Sequence, residues 1–222
     1  MAGEVTIFSS TNDGYVSATD TNWSAIRDAN TGSSVNFINP NSTTAVRASA
    51  TTARGVTTSV ITRSFFYFNV SSITHVPKLA ELQLYGLTNG NSDVIVVKSN
   101  WGGLSLSTTD YDSIVGWNGT NSDGGGGGDE SSNVTQYSRE INTWDTSSYN
   151  RIILTQAALV DLAGESSFVC CVMDYDYDLR DIAATSAVGY TGLWYAQALG
   201  TVKDPKLVIT TQDDSVFFGA NF

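Results

Sequence analysis

The sequence predicts an all-β protein: a two-sheet antiparallel jelly-roll sandwich with one short helix. Three observations predict it. First, residues 57–87, TTSVITRSFFYFNVSSITHVPKLAELQLYGL, read as a long alternating strand, a polar turn with one proline, and a second alternating strand. In the first strand Val60, Thr62, Ser64, Phe66 and Phe68 share one face and Ile61, Arg63, Phe65 and Tyr67 the other; in the second, Ala80, Leu82 and Leu84 form an apolar face. Two such strands need a second sheet to cover them. Second, charged residues make up 15% of the chain, against roughly 25% in an average soluble domain. Ser, Thr, Asn and Gly replace them, as short strands with many turns require. Third, 222 residues allow one sizeable core, so the chain reads as a single domain over 1–211 followed by an aromatic tail over 212–222.

From the N-terminus, residues 4–8 and 14–18 alternate as strands. Residues 20–33 are polar and turn-rich, with Trp23, Ile26 and Arg27 spaced for one short helical turn. Short strands are expected at 35–38 and 44–48, around Asn39-Pro40-Asn41, ahead of the central pair. The run DVIVVK at 93–98 is a continuous apolar strand, and 99–150 is a long irregular stretch carrying Trp101, Tyr111, Trp117 and Trp144. A strand at 151–154 leads to Thr155, the expected cap of the helix QAALVDLA, which stops at Gly164. Residues 167–173 form a buried strand, and 192–198 and 205–211 complete the set.

The net charge of −11, from 22 acidic and 11 basic residues, argues against nucleic acid or an anionic membrane as partner. No run is long and apolar enough for a membrane span. MAGEVTIFSS lacks the basic start and apolar stretch of a secretion signal. The two cysteines are adjacent, Cys170 and Cys171, so in a strand they point to opposite faces and are expected to be free thiols. The one histidine, His75, has no ligand spacing around it.

Several segments resemble DNRLRE-type jelly-roll domains, which are related in shape to carbohydrate-binding modules. Asp13-Gly14-Tyr15-Val16 resembles the opening D-x-Y-V strand, and SFFYFNVS at 64–71 resembles S-x-L-R-F-D-L-S. KLAELQLY at 78–85 resembles I-x-x-A-x-L-x-L-Y, and DPKLVIT at 204–210 resembles the late R-P-x-L-x-V-x-Y strand. The signature that gives the family its name is not present as such. Such domains occur in surface and wall-associated proteins and in virion proteins of tailed phages; a shared fold does not fix function.

Chemistry-bearing residues are few. Asp174, Asp176 and Asp178 alternate in MDYDYDLRD at 173–181, and in an extended chain the three carboxylates share a face that Ca²⁺ would neutralise. The run lacks the fixed glycine and final glutamate of an EF-hand. The glycines at 124–128 are flanked by Asp123 and Asp129, with no Lys-Ser/Thr following, which reads as a loop tip rather than a phosphate cradle. Trp101, Tyr111, Trp117 and Trp144 are candidates for stacking on a surface glycan and equally for core positions. No nucleophile elbow is present, and no enzyme is expected.

Two non-enzymatic classes remain. The first is a virion structural protein, a capsid decoration (cement) protein or short fibre or spike subunit, assembled in the host cytoplasm and bound to capsid or other virion proteins. A start at Met1 without a leader and unpaired thiols favour it. The second is a secreted, extracellular carbohydrate-binding or adhesive module. Self-association, as a trimer, is expected through the tail, because Val216, Phe217, Phe218 and Phe222 follow the last strand with no obvious place in a completed sandwich.

Overall fold

The structure, a computed structural model, describes residues 3–37, 43–89, 91, 93–118, 128–185, 187–194 and 202–211. Its longest strand is β5 (Val56–Asn69), which alternates apolar residues on both faces and is buried on both over most of its length. β4 (Thr43–Ala53) joins it through Arg54 and Gly55, both at positive φ (52° and 79°), the backbone of a two-residue hairpin turn. β4 flanks β5 only as far as Thr62; from Ser64 onward β10 (Ser167–Asp174) takes over that edge. On the other side lies β2 (Gly14–Asp20), followed by β3 (Ser34–Phe37). β11 (Val188–Trp194) pairs β4 and the two-residue β7 (Thr88–Asn89), and β8 (Val94–Lys98) pairs β10, which completes an eight-stranded sheet.

The second sheet has four strands: β1 (Glu4–Phe8), β12 (Lys206–Thr210), β6 (Leu79–Tyr85) and β9 (Tyr149–Ile153), in that order. All pairings are antiparallel. Two sheets packed face to face are the all-β sandwich that the alternation over 57–87 predicts. The first core lies between them and unites Phe66 and Phe68 of β5, Leu82 and Leu84 of β6, Ile152 of β9 and Leu207 and Ile209 of β12. α2 (Gln156–Gly164) closes one side with Ala158, Leu159 and Leu162. It falls where the sequence places a helix, but the Thr155 hydroxyl does not cap it; it donates to Gln136 O (2.8 Å). α1 (Trp23–Arg27) is capped by Asn22, whose side chain accepts from Ala25 N.

The opposite face of β5 carries a second core, Val16, Ile61, Phe65, Val97, Trp101, Tyr111, Met173 and Leu179, roofed by the irregular stretch after β8. Cys170 faces the first core and Cys171 the second; both are free, and burial pushes both thiols up. Arg63 sits among these apolar groups, fully buried. Its Nε and Nη2 donate to the two oxygens of Asp178 (2.8 and 2.6 Å), Nη1 donates to Tyr111 O and Nη2 also to Arg27 O. The rings of Tyr111 and Trp117 lie on it, each centroid 4.2 Å away. Arg27, also fully buried, donates to Asp178 O, Leu179 O and the Asp28 carboxylate.

Breaking one partner of a buried ion pair leaves an uncompensated charge and costs about 3–5 kcal/mol. Asp178→Asn is therefore expected to lower Tm by roughly 10 °C in a chain of this size. Asp176→Asn, which weakens an exposed pair with Arg180 and relieves repulsion with Asp93 and Glu140, is expected to change stability by less than about 0.5 kcal/mol. Calorimetry of the two variants checks this, and equal small shifts would contradict it.

Candidate interaction surface

β9 is an outer strand of the four-stranded sheet, and among the described residues its one strand neighbour is β6. Gly86 N donates to Ser148 O and Leu154 N to Ala80 O (both 3.0 Å). With Ile152 opposite Leu82 and Asn150 opposite Leu84, the alternation of an antiparallel ladder directs the N–H and C=O of the even positions to β6. Those of Tyr149, Arg151 and Ile153 consequently point away from the sheet. Facing them is the segment 138–145, held on β8 by paired bonds between Ile141 and Val94 (2.8 and 3.0 Å).

Two adjoining cavities of about 610 and about 600 Å³ lie between this segment and β9, and both are lined by Ile141, Arg151 and Ile152. Together they make a groove along the open edge. Thr155 N donates to Tyr137 O (2.9 Å), which, with the Thr155 hydroxyl on Gln136 O, plugs the groove at the helix end. At the other end the turn through Trp144 and Asp145 packs so close to Gly86 that a Cβ there would strike Asp145 O and Trp144 Nε1.

The side chains of the groove are engaged with one another. Arg151 grips Glu81 with two hydrogen bonds (2.8 and 3.0 Å), and Gln83 adds a third to the same carboxylate. Burial opposes it, but these bonds hold the Glu81 carboxyl below its ordinary pKa. Asn150 bonds both backbone groups of Asp145 and Leu84 O. The Ser148 hydroxyl and the Ser147 N–H and hydroxyl draw the Asp145 carboxyl down to about 2. Tyr149 OH donates to Asp204 O (2.9 Å). Arg139 is exposed and enters none of the ion pairs between described residues. What the groove presents is backbone and apolar surface, with Arg139 beside Glu140 on one wall.

The outer face of the same sheet continues it. Register places Phe8, Lys206, Gln83 and Arg151 in one row and Thr6, Val208, Glu81 and Ile153 in the next. Phe8 and Ile153 are 49% and 63% exposed. Tyr85 and Tyr149 meet edge to face with centroids 5.4 Å apart, with Lys203 over the first ring and Lys206 over the second. Lys203, Lys206 and Arg151 thus gather on one face of a chain whose net charge is −11.

The acidic run is arranged differently from the extended reading. Residues 175–179 form a wide π-type helical turn, so the three carboxylates diverge. Asp174 caps that turn by accepting from Tyr177 N (2.8 Å), Asp178 is locked on Arg63, and Asp176 lies by Arg180 at the surface. The three carboxylates therefore do not share one face, and among the described residues no three His, Cys, Asp or Glu side chains group to hold a metal. Of the candidate stacking aromatics, Trp101 and Tyr111 are buried in the second core, Trp117 lies on the two arginines, and Trp144 lines the groove. Val216, Phe217, Phe218 and Phe222 lie outside the described residues. β9 alternates plainly in the sequence, but nothing local marks a strand as outermost. Compared with known proteins, the chain matches no family model, and no curated protein matches it.

Burial pushes the Asp204 carboxyl up to about 6. Asp93 is also raised, by burial and then by Asp176, and Glu140 by burial and then by Asp93 and Asp176. Groups with raised folded pKa values recover stability as pH falls through those values. Tm is therefore expected to rise by a few degrees between pH 7.5 and 5. It is expected to fall again below about pH 4, as Glu81 and Asp145 lose their partners. Scanning calorimetry against pH checks this: Asp204→Asn should flatten the rise between pH 7 and 5, and an unchanged slope would contradict the assignment.

Proposed function

We propose that this protein is a non-enzymatic structural or attachment component that works through protein–protein contacts, made by the open edge of β9 and the adjoining outer face of its sheet. One observation carries the reading: along the groove the polar side chains are engaged with one another, whereas the N–H and C=O groups of Tyr149, Arg151 and Ile153 face outward. Main-chain groups in a row are recognised by another main chain, through strand addition. The exposed Phe8 and Ile153 supply the apolar contact that accompanies it. The resemblance to jelly-roll domains of tailed-phage virions supports a setting in a particle, as a decoration protein or a short fibre subunit. A glycan-binding module is the second reading, favoured by Trp144 and Tyr149 on the wall of one cavity. It has less support, because Asn150, Asp145 and Arg151, which would recognise hydroxyls, are already bonded.

The test is Ile153→Pro. Proline removes one outward N–H and leaves the β6 ladder intact, a position at which an edge strand tolerates it. The variant is expected to keep its circular dichroism spectrum and its Tm within a few degrees. Its self-association, read by sedimentation, is expected to weaken about tenfold, as loss of a main-chain bond and a steric block at the edge imply. A folded variant that associates like the parent contradicts the reading.

A further inference from the structure

Resting on that reading of the β9 edge, we infer that its occupant is the C-terminal segment 213–222 of a second copy of this chain, added as a strand in the groove. The groove asks for two things: a backbone in extended form, and apolar side chains against Ile141, Ile152 and Ile153. The sequence DDSVFFGANF supplies the apolar residues, Val216, Phe217, Phe218 and Phe222. Valine and phenylalanine favour strands, and the segment contains no proline to interrupt a ladder.

Length agrees. At about 3.3 Å per residue, ten residues extend to roughly 33 Å, and the five of β9 need about half of that.

The exit point decides between the chain's own edge and a neighbour's. β12 ends at Thr210, opposite Leu79, and Thr211 N is bonded to Gly3 O (2.9 Å). Carrying the register across β6 puts Thr155 level with Leu79. The described chain therefore ends level with the plugged end of its own groove, where Gln136 and Tyr137 stand on Thr155. To enter there, a chain's own tail has to pass around the plug, whereas a neighbour's tail approaches from outside.

The experiment uses the intact chain, a chain ending at Gln212, the Ile153→Pro variant, the variant carrying both changes, and a synthetic peptide of residues 213–222. The shortened chain is expected to keep the parent's circular dichroism spectrum and to sediment as a monomer where the intact chain associates. The peptide is expected to bind the shortened chain saturably, and at least tenfold more weakly once Ile153→Pro is added. If the shortened chain still associates while Ile153→Pro does not, the occupant is wrong and the edge reading stands. If the shortened chain is monomeric but Ile153→Pro associates normally, the tail acts elsewhere and the edge reading falls with it. An intact chain that is monomeric at every concentration, and that loses stability on shortening, places the tail on its own edge and overturns the assignment to a second copy.

Discussion

The buried guanidinium of Arg63 is the interaction on which the remaining architecture depends. It binds one carboxylate through two nitrogens, accepts two aromatic faces, and reaches the carbonyls of Arg27 and Tyr111. Those partners come from α1, from the stretch after β8, and from the turn that follows β10, segments with little regular structure of their own. Taking the charge out of water opposes the arrangement, and the fixed geometry of the donors offsets it. The second core could close with apolar residues alone, but nothing apolar would set the register of its roof so narrowly. Arg27 repeats the device one layer further out, joined to the same turn through Asp178 O and Leu179 O.

This distribution leaves the two sheets with different duties. The eight-stranded sheet is covered on both faces, by the first core and by the pinned roof, and β5 is buried throughout its middle. The four-stranded sheet has one face on the first core, and among the described residues no strand or helix packs on the other. That outer face carries Lys203, Lys206 and Arg151 beside Glu81, and its last strand borders a groove. Natural sheets protect exposed edges with charge, proline or a covering segment. Here Arg151 is held flat by Glu81, and the covering segment 138–145 stands off far enough to leave the cavities. An edge kept open in this way is a place for contact.

Much of the sandwich is legible in the sequence, because alternation over β5 and β6 has one structural solution. The helix at 156–164 and the opposite orientation of Cys170 and Cys171 follow from local pattern in the same manner. Local pattern misleads at Asp174, Asp176 and Asp178. Their spacing suits an extended strand, but Arg63, distant by 115 residues from Asp178, draws that carboxylate inward and winds the chain into a helical turn. Trp101, Tyr111 and Trp117 are similar: an aromatic residue in an irregular stretch reads as surface or as core with equal ease, and here Phe65 meets Trp101 while the arginines lie against Tyr111 and Trp117. That β9 is outermost depends on strand order, which no short segment encodes.

The central claim is that the odd-numbered amides of β9 are open in the free chain and taken up in the assembly. Residue-resolved amide hydrogen exchange tests it most directly, since protection follows the hydrogen bonding of each N–H. In dilute protein Tyr149, Arg151 and Ile153 should exchange fast while Asn150 and Ile152 stay slow, and in the associated state all five should be slow. Odd-numbered amides that are protected equally before and after association, or that stay fast in both states, would contradict the account.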